Sequence, residues 1–178
     1  GSEYAAAILM LNHGMVNEGV KCIANIRARY DGEKANPWNE AEYGRHYARA
    51  MASWGSIPML SGCRYNGPTR ELGIHPLIHN QDCRCGGSTP TAWGSFQQRQ
   101  VKDRSTLTLE LNKGTIPVRQ IRLDAKMFPA HDAKILLGNR PIACRAETLG
   151  ADTLFVCDES FEGTPTSPLT LSAVVAPH

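Results

Sequence analysis

The sequence predicts an α+β fold, and three observations predict it. Over the first third, apolar residues recur at steps of three and four, the period of a helix buried along one face. Beyond about residue 67 the pattern becomes short alternating segments among glycine and proline clusters, the period of half-buried strands. The two patterns are segregated along the chain. That argues against βαβ units and implies a helical region over 1–66 followed by an antiparallel β-rich region over 67–178.

The helical region reads as three helices. The first carries Tyr4 through Leu11, and Gly14 supplies its stop. The second runs from about Val16 to Tyr30, with Val16, Val20, Ile23 and Ile26 as its apolar stripe. Arg27 and Arg29 fall in its last turn, where cations suit the macrodipole, and Asp31-Gly32 breaks it. A loop containing Pro37 leads to a third helix from Glu40 or Ala41 to Leu60, weakened by Gly55 and Pro58. On it, Tyr43, Tyr47, Met51 and Trp54 share one face, while Glu42, His46, Arg49 and Ser53 form a polar stripe. These helices need other helices to cover them. The chain opens Gly1-Ser2-Glu3 without methionine and enters the helical pattern at once, which reads as a cut through a longer chain. A scar of tag removal is the plainer reading of Gly-Ser.

In the β-rich region, Ser105 to Leu111 alternates with period two. Asn112-Lys113-Gly114-Thr115 reads as a hairpin connection to Ile116–Leu123. Further strands are expected over 93–98, 134–137, 142–146 and 153–157, with Gly138-Asn139-Arg140-Pro141 as a turn between two of them.

Composition narrows the function classes. The chain has 178 residues, 42% hydrophobic and 20% charged, as an ordinary globular protein does. A net charge of +2 is too small to argue for a nucleic-acid or membrane-surface partner. No apolar run approaches the roughly 20 residues of a membrane span, and there is no secretory leader pattern. Neither a Walker loop nor a dinucleotide fingerprint is present, and the function that the motifs below imply needs no obligatory organic cofactor. The six cysteines, at 22, 63, 83, 85, 144 and 157, are irregularly spaced. That favours buried free thiols over a disulfide framework, and with them a reducing, cytoplasmic compartment.

The densest chemical cluster runs from Arg29-Tyr30-Asp31-Gly32 through Asn36-Pro37-Trp38-Asn39-Glu40 to Trp54. It mixes carboxylates, guanidinium groups, a histidine and aromatic rings. Sugar sites need that mixture, because hydroxyls take fixed acceptors and charged donors while ring faces pack on Trp or Tyr. A solvated helix face laced with i,i+4 ion pairs would have the same composition.

The motifs themselves separate these readings. Arg29-Tyr30-Asp31-Gly32, Asn36-Pro37-Trp38-Asn39-Glu40-Ala41-Glu42-Tyr43-Gly44 and His46-Tyr47-Ala48-Arg49-Ala50-Met51-Ala52-Ser53-Trp54 together resemble glycoside hydrolase family 116. That family contains β-glucosidases and non-lysosomal glucosylceramidases. Gly14-Met15-Val16-Asn17-Glu18-Gly19 and Leu60-Ser61-Gly62-Cys63-Arg64-Tyr65 resemble flanking segments, and Trp93-Gly94-Ser95-Phe96-Gln97 resembles part of the bacterial tail. The likeness is dense over 1–66, patchy to about 112 and absent beyond.

The resemblance implies that the helical region forms closing helices of an (α/α)6 catalytic barrel. It implies a retaining hydrolase of β-linked sugars, with two catalytic carboxyls about 5–5.5 Å apart. Both belong to segments upstream in the family, so no residue of this chain inherits either role. Glu40 and Arg49 match sugar-contacting positions, with Glu42 and His46 as neighbours. Trp38 either forms a sugar platform or plugs its loop onto the barrel. Ala41 and Tyr43 depart from the family pattern, which bears on substrate choice. The implied partners are a carbohydrate or glycolipid substrate and the rest of the same enzyme. A reading from another class is a carbohydrate-binding or packing module on a barrel that has lost catalysis.

His75, His79, Cys83 and Cys85 form a rival constellation with zinc-ligand residue types. The C-x-C spacing is shorter than a structural zinc knuckle, and on a strand both thiols would point one way simply as buried groups. No metal is therefore expected. His13 reads as a capping residue at a helix end, Glu3 as either an inward-facing or an exposed first-turn carboxylate, and Asp31 as a turn former.

Overall fold

The fold is that of a computed structural model, which describes residues 1–36 and 49–175. They divide into two compact units, Gly1–Leu60 and Ser61–His178.

In the first unit, helix α1 (Ser2–Asn12) and helix α2 (Val16–Arg29) pack as an antiparallel pair around a tight link. α1 buries Tyr4, Ala7 and Leu11, one residue per turn on a single face. α2 answers with Gly19 and Ile26, and the missing side chain at Gly19 makes room for Leu11. The expected stripe on α2 is therefore rotated: Val20 is exposed, and burial follows Gly19 and Ile26. Arg29 of α2 pairs with Glu3 of α1, so Glu3 is an exposed ion-pair partner. A 3-10 segment, Arg49–Gly55, packs on α1, and Ser56–Ser61 forms a short helix α3 with Pro58 inside it. The expected third helix over 40–60 is thus two short pieces where it is described, and residues 37–48 lie outside the described residues.

The second unit is two sheets of eleven strands. Sheet A contains β1 (Cys63–Asn66), β2 (Glu71–Ile74), β6 (Ile116–Asp124), β10 (Asp152–Gly163) and β9 (Cys144–Leu149), in that order. Sheet B contains β3 (Asp82–Ser88), β4 (Ala92–Val101), β5 (Arg104–Gly114), β11 (Leu169–Val174), β7 (Lys134–Leu137) and β8 (Arg140–Pro141). All pairings are antiparallel except β2 with β6, which run parallel. One apolar cluster joins residues of both sheets: Leu72, Ile74, Val118, Ile121, Leu123 and Phe155 from sheet A, and Phe96, Leu107, Leu109, Ile135 and Leu171 from sheet B. Each such side chain contributes about 1.5–3 kcal/mol relative to exposure.

This architecture overturns the expected fold class. Among the described residues strand outweighs helix, the helices are short, and there is no (α/α)6 barrel. The physical reason is length and pattern. α1 and α2 have 11 and 14 residues and bury their faces largely on each other, while the period-two pattern extends over most of the remaining chain. The β-rich region is also not purely antiparallel, because β2 reaches β6 in parallel.

The expected hairpin at 112–115 is a second correction. β5 and β6 do not pair; β5 lies between β4 and β11 in one sheet, and β6 between β2 and β10 in the other. The chain crosses between sheets at Gly114-Thr115. Gly114 has φ +83°, and a Cβ there would overlap the Thr91 carbonyl of the strand-turn before β4. Pro117 follows without an N–H to donate to a ladder. These features read as hairpin signals in sequence, yet they make a corner.

A paired substitution tests the corner. Gly114→Ala should cost about 2–4 kcal/mol, because backbone strain and steric overlap act together. Gly150→Ala, at φ +64° with open space around it, should cost only about 1–2 kcal/mol of backbone strain. Equal denaturation midpoints for the two variants would contradict the close approach at Gly114.

Candidate functional site

The outer face of sheet A carries a charged network, placed there by strand alternation. In β6, Ile121 and Leu123 point into the core, so Arg122 points out, between Gly73 of β2 and Leu154 of β10. Gly73 has no side chain, which leaves Arg122 free to extend along the sheet. Its Nε donates to Glu71 Oε1 at 2.8 Å and its Nη2 to Glu71 Oε2 at 3.3 Å, a two-pronged pair. Its Nη1 lies 3.8 Å from Asp152 Oδ2, and Asp152 Oδ1 lies 3.1 Å from His75 Nε2. All four side chains are between 22% and 31% exposed, so water reaches them without dissolving the network.

The Glu71 pair, ahead of the Asp152 contact, pushes the Arg122 pKa further above its ordinary value, so the guanidinium stays charged. Joining β2, β6 and β10, the network is suited to fixing three strands in register.

Of the residues expected to contact sugar, Trp38, Glu40, Glu42 and His46 lie outside the described residues. Arg49 is the first residue of the 3-10 segment. Asp31 accepts from the backbone N–H groups of Glu33 at 3.0 Å and Lys34 at 2.8 Å. The Lys34 contacts hold its carboxyl down at about 2. Asp31 is therefore a turn former, as its Tyr-Asp-Gly context suggested. His13 sits at the C-cap of α1, where its N–H donates to helix carbonyls.

The rival constellation is split. His75 is engaged by Asp152, and His79 is an exposed turn residue with φ +52°. Cys83 and Cys85 sit together, with their Sγ atoms 3.2 Å apart. Among the described residues no group of three or more His, Cys, Asp or Glu side chains is placed to hold a metal ion. Desolvation raises the Cys83 thiol to about 12, with the Cys85 contact adding to it, and desolvation raises Cys63 to about 11. Cys144 and Cys157 are bonded to each other, as register partners on β9 and β10. This corrects the free-thiol reading for two of the six cysteines; Cys22, Cys63, Cys83 and Cys85 are free.

Sequence reasoning did not find Glu71, Arg122 and Asp152. Their outward placement is legible in the alternation around Ile121 and Leu123. Their meeting is not, because it depends on long-range pairing of β2, β6 and β10.

No protein-family profile matches the chain, and no curated protein matches it by sequence. Among solved structures it is similar to a Streptomyces avermitilis α-L-rhamnosidase complexed with L-rhamnose, at 14% identity and a TM-score of 0.40. The match covers 72% of this chain and 11% of that one, so the chain spans only a small part of that protein's length. A likeness this loose assigns no family, and the resemblance to family 116 rests on the motifs of the sequence. No helix among the described residues is long and apolar enough to cross a membrane.

Removing Arg122 tests the network. Arg122→Ala leaves two carboxylates near each other on a half-buried face, and should destabilise the protein by about 1–3 kcal/mol after allowance for solvent screening. Adding Glu71→Ala to that variant should cost less than Glu71→Ala does alone. Additive urea midpoints in this double-mutant cycle would show that the pair carries no coupling.

Proposed function

We propose that this chain is part of a longer retaining glycosidase that cleaves β-linked sugars, either β-glucosides or glucosylceramide-like glycolipids. The single observation that carries the reading is the motif run from Asn36 to Trp54 with its flanking Arg29-Tyr30-Asp31-Gly32. In this reading Glu40 and Arg49 hold sugar hydroxyls, Glu42 and His46 flank them, and Trp38 packs on the ring face. The nucleophile and acid/base belong to other segments of the enzyme.

A second reading has its own observation. Trp93 on β4 is 54% exposed, opposite Ser88 of β3, with Ser95 and Gln97 following on the same outer face of sheet B. An aromatic plane beside hydroxyl and amide groups is what a saccharide-binding face uses. Here the β unit would bind carbohydrate within a protein that has no catalysis of its own.

Kinetics of the longer enzyme separate the two. Arg49→Ala removes a charged hydrogen bond to substrate, about 1.5–3 kcal/mol, and should lower kcat/KM roughly 10- to 150-fold with the protein still folded. The chain alone should not turn over an aryl β-glucoside. Unchanged kcat/KM in Arg49→Ala would leave that residue structural. Binding of a β-linked oligosaccharide lost only in Trp93→Ala, with no hydrolysis by the longer protein, would favour the second reading.

A further inference from the structure

We propose that Cys83 and Cys85 form a thiol–disulfide exchange site, which closes to an intrastrand disulfide on reaction with a low-molecular-weight disulfide such as oxidised glutathione. Three placements carry this. Alternation on β3 puts both side chains on the inner face, and their Sγ atoms already lie 3.2 Å apart. Bond formation needs closure to about 2.05 Å. Two residues along a strand span about 6.6 Å, inside the roughly 4.4–6.8 Å between α-carbons that a disulfide tolerates. β3 is also the edge of sheet B and pairs only with β4, so drawing residues 83 and 85 together disturbs one ladder and not two.

The two thiols are unequal, which fixes the order of steps. Cys85 is half-buried and reachable, whereas Cys83 is only 8% exposed. Cys85 loses its proton to solvent and its thiolate attacks one sulfur of the small disulfide. A mixed disulfide forms at Cys85 and one thiolate leaves. Cys83 then attacks Cys85 Sγ, giving up its proton as it does so, and the second small thiolate leaves. The cysteine pair is oxidised by two electrons, the small disulfide is reduced to two thiols, and the two protons end on those thiols. The high pKa of the buried thiol makes the second step the slow one.

Cys63 is the competing partner. Its Sγ lies over the α-carbon of Gly87, two residues beyond Cys85 on the same face of β3. It lies beside the pair, but the 3.2 Å contact is between Cys83 and Cys85.

The sequence provides the readout, because Arg84 separates the two cysteines. Trypsin places Cys63, Cys83 and Cys85 in peptides 50–64, 71–84 and 85–99. The full chain, with its Cys144–Cys157 bond intact, is treated with oxidised glutathione, alkylated and digested. The expected result is 71–84 joined to 85–99 and released by reductant, unchanged in Cys63→Ser. In Cys83→Ser the reaction should stop as a glutathione adduct on Cys85. Peptide 85–99 joined to 50–64, or 71–84 and 85–99 recovered separately with both thiols alkylated, would overturn the proposal. Both readouts exist for the unmutated chain, so the test does not depend on a variant folding.

Discussion

β6 is the strand on which the second unit depends. It is the middle strand of sheet A, bonded to β2 on one side in parallel and to β10 on the other in antiparallel. Ile116, Val118, Ile121 and Leu123 on it are each no more than 2% exposed, within the cluster that joins the two sheets. The step from Val118 to Ile121 is three residues, which would put one of them on the wrong face of a regular strand. The ladder absorbs it: the N–H groups of Arg119 and Gln120 both donate to the Arg70 carbonyl, and the β10 register shifts between Val156 and Phe161. Core burial therefore sets the register, and the register in turn brings Arg122 to Glu71 and Asp152.

How much of this was legible in the sequence depends on the range of the interaction. Local signals were read well: Gly14 stops α1, Asp31 forms its turn, and the strand at 134–137 lies where alternation placed it. Of the expected turn Gly138-Asn139-Arg140-Pro141, Gly138-Asn139 joins β7 to β8, whereas Arg140-Pro141 is β8 itself. Sheet membership was not legible. Ser105–Leu111 and Ile116–Leu123 look like two arms of a hairpin, but they pair in different sheets, and Thr91 closes on Gly114 where they part. The Cys144–Cys157 bond and the Arg122 network fail to show in sequence for the same reason, since both join strands by pairing and not by spacing. The barrel expectation came from motif likeness over 1–66. Helices of 11 and 14 residues, and the sheets that follow, do not carry it.

The chemistry divides along the same line. In the second unit Arg122 is paired with Glu71 and Asp152, and the inner face carries three thiols beside an apolar core. The residue types suited to sugar recognition are concentrated before Gly55, in the stretch that ends at the 3-10 segment. Large apolar side chains are exposed in that unit at Leu9, Met51, Trp54 and Ile57.

Native-state hydrogen exchange on the whole chain reads out how far the second unit depends on β6. Amides of Ile121 to Leu123 should be among the slowest, and should exchange only through global unfolding of that unit. Those of β3 and β8, at the edges of sheet B, should exchange through smaller openings. Exchange of the β6 amides at the rate of the edge strands would contradict the account.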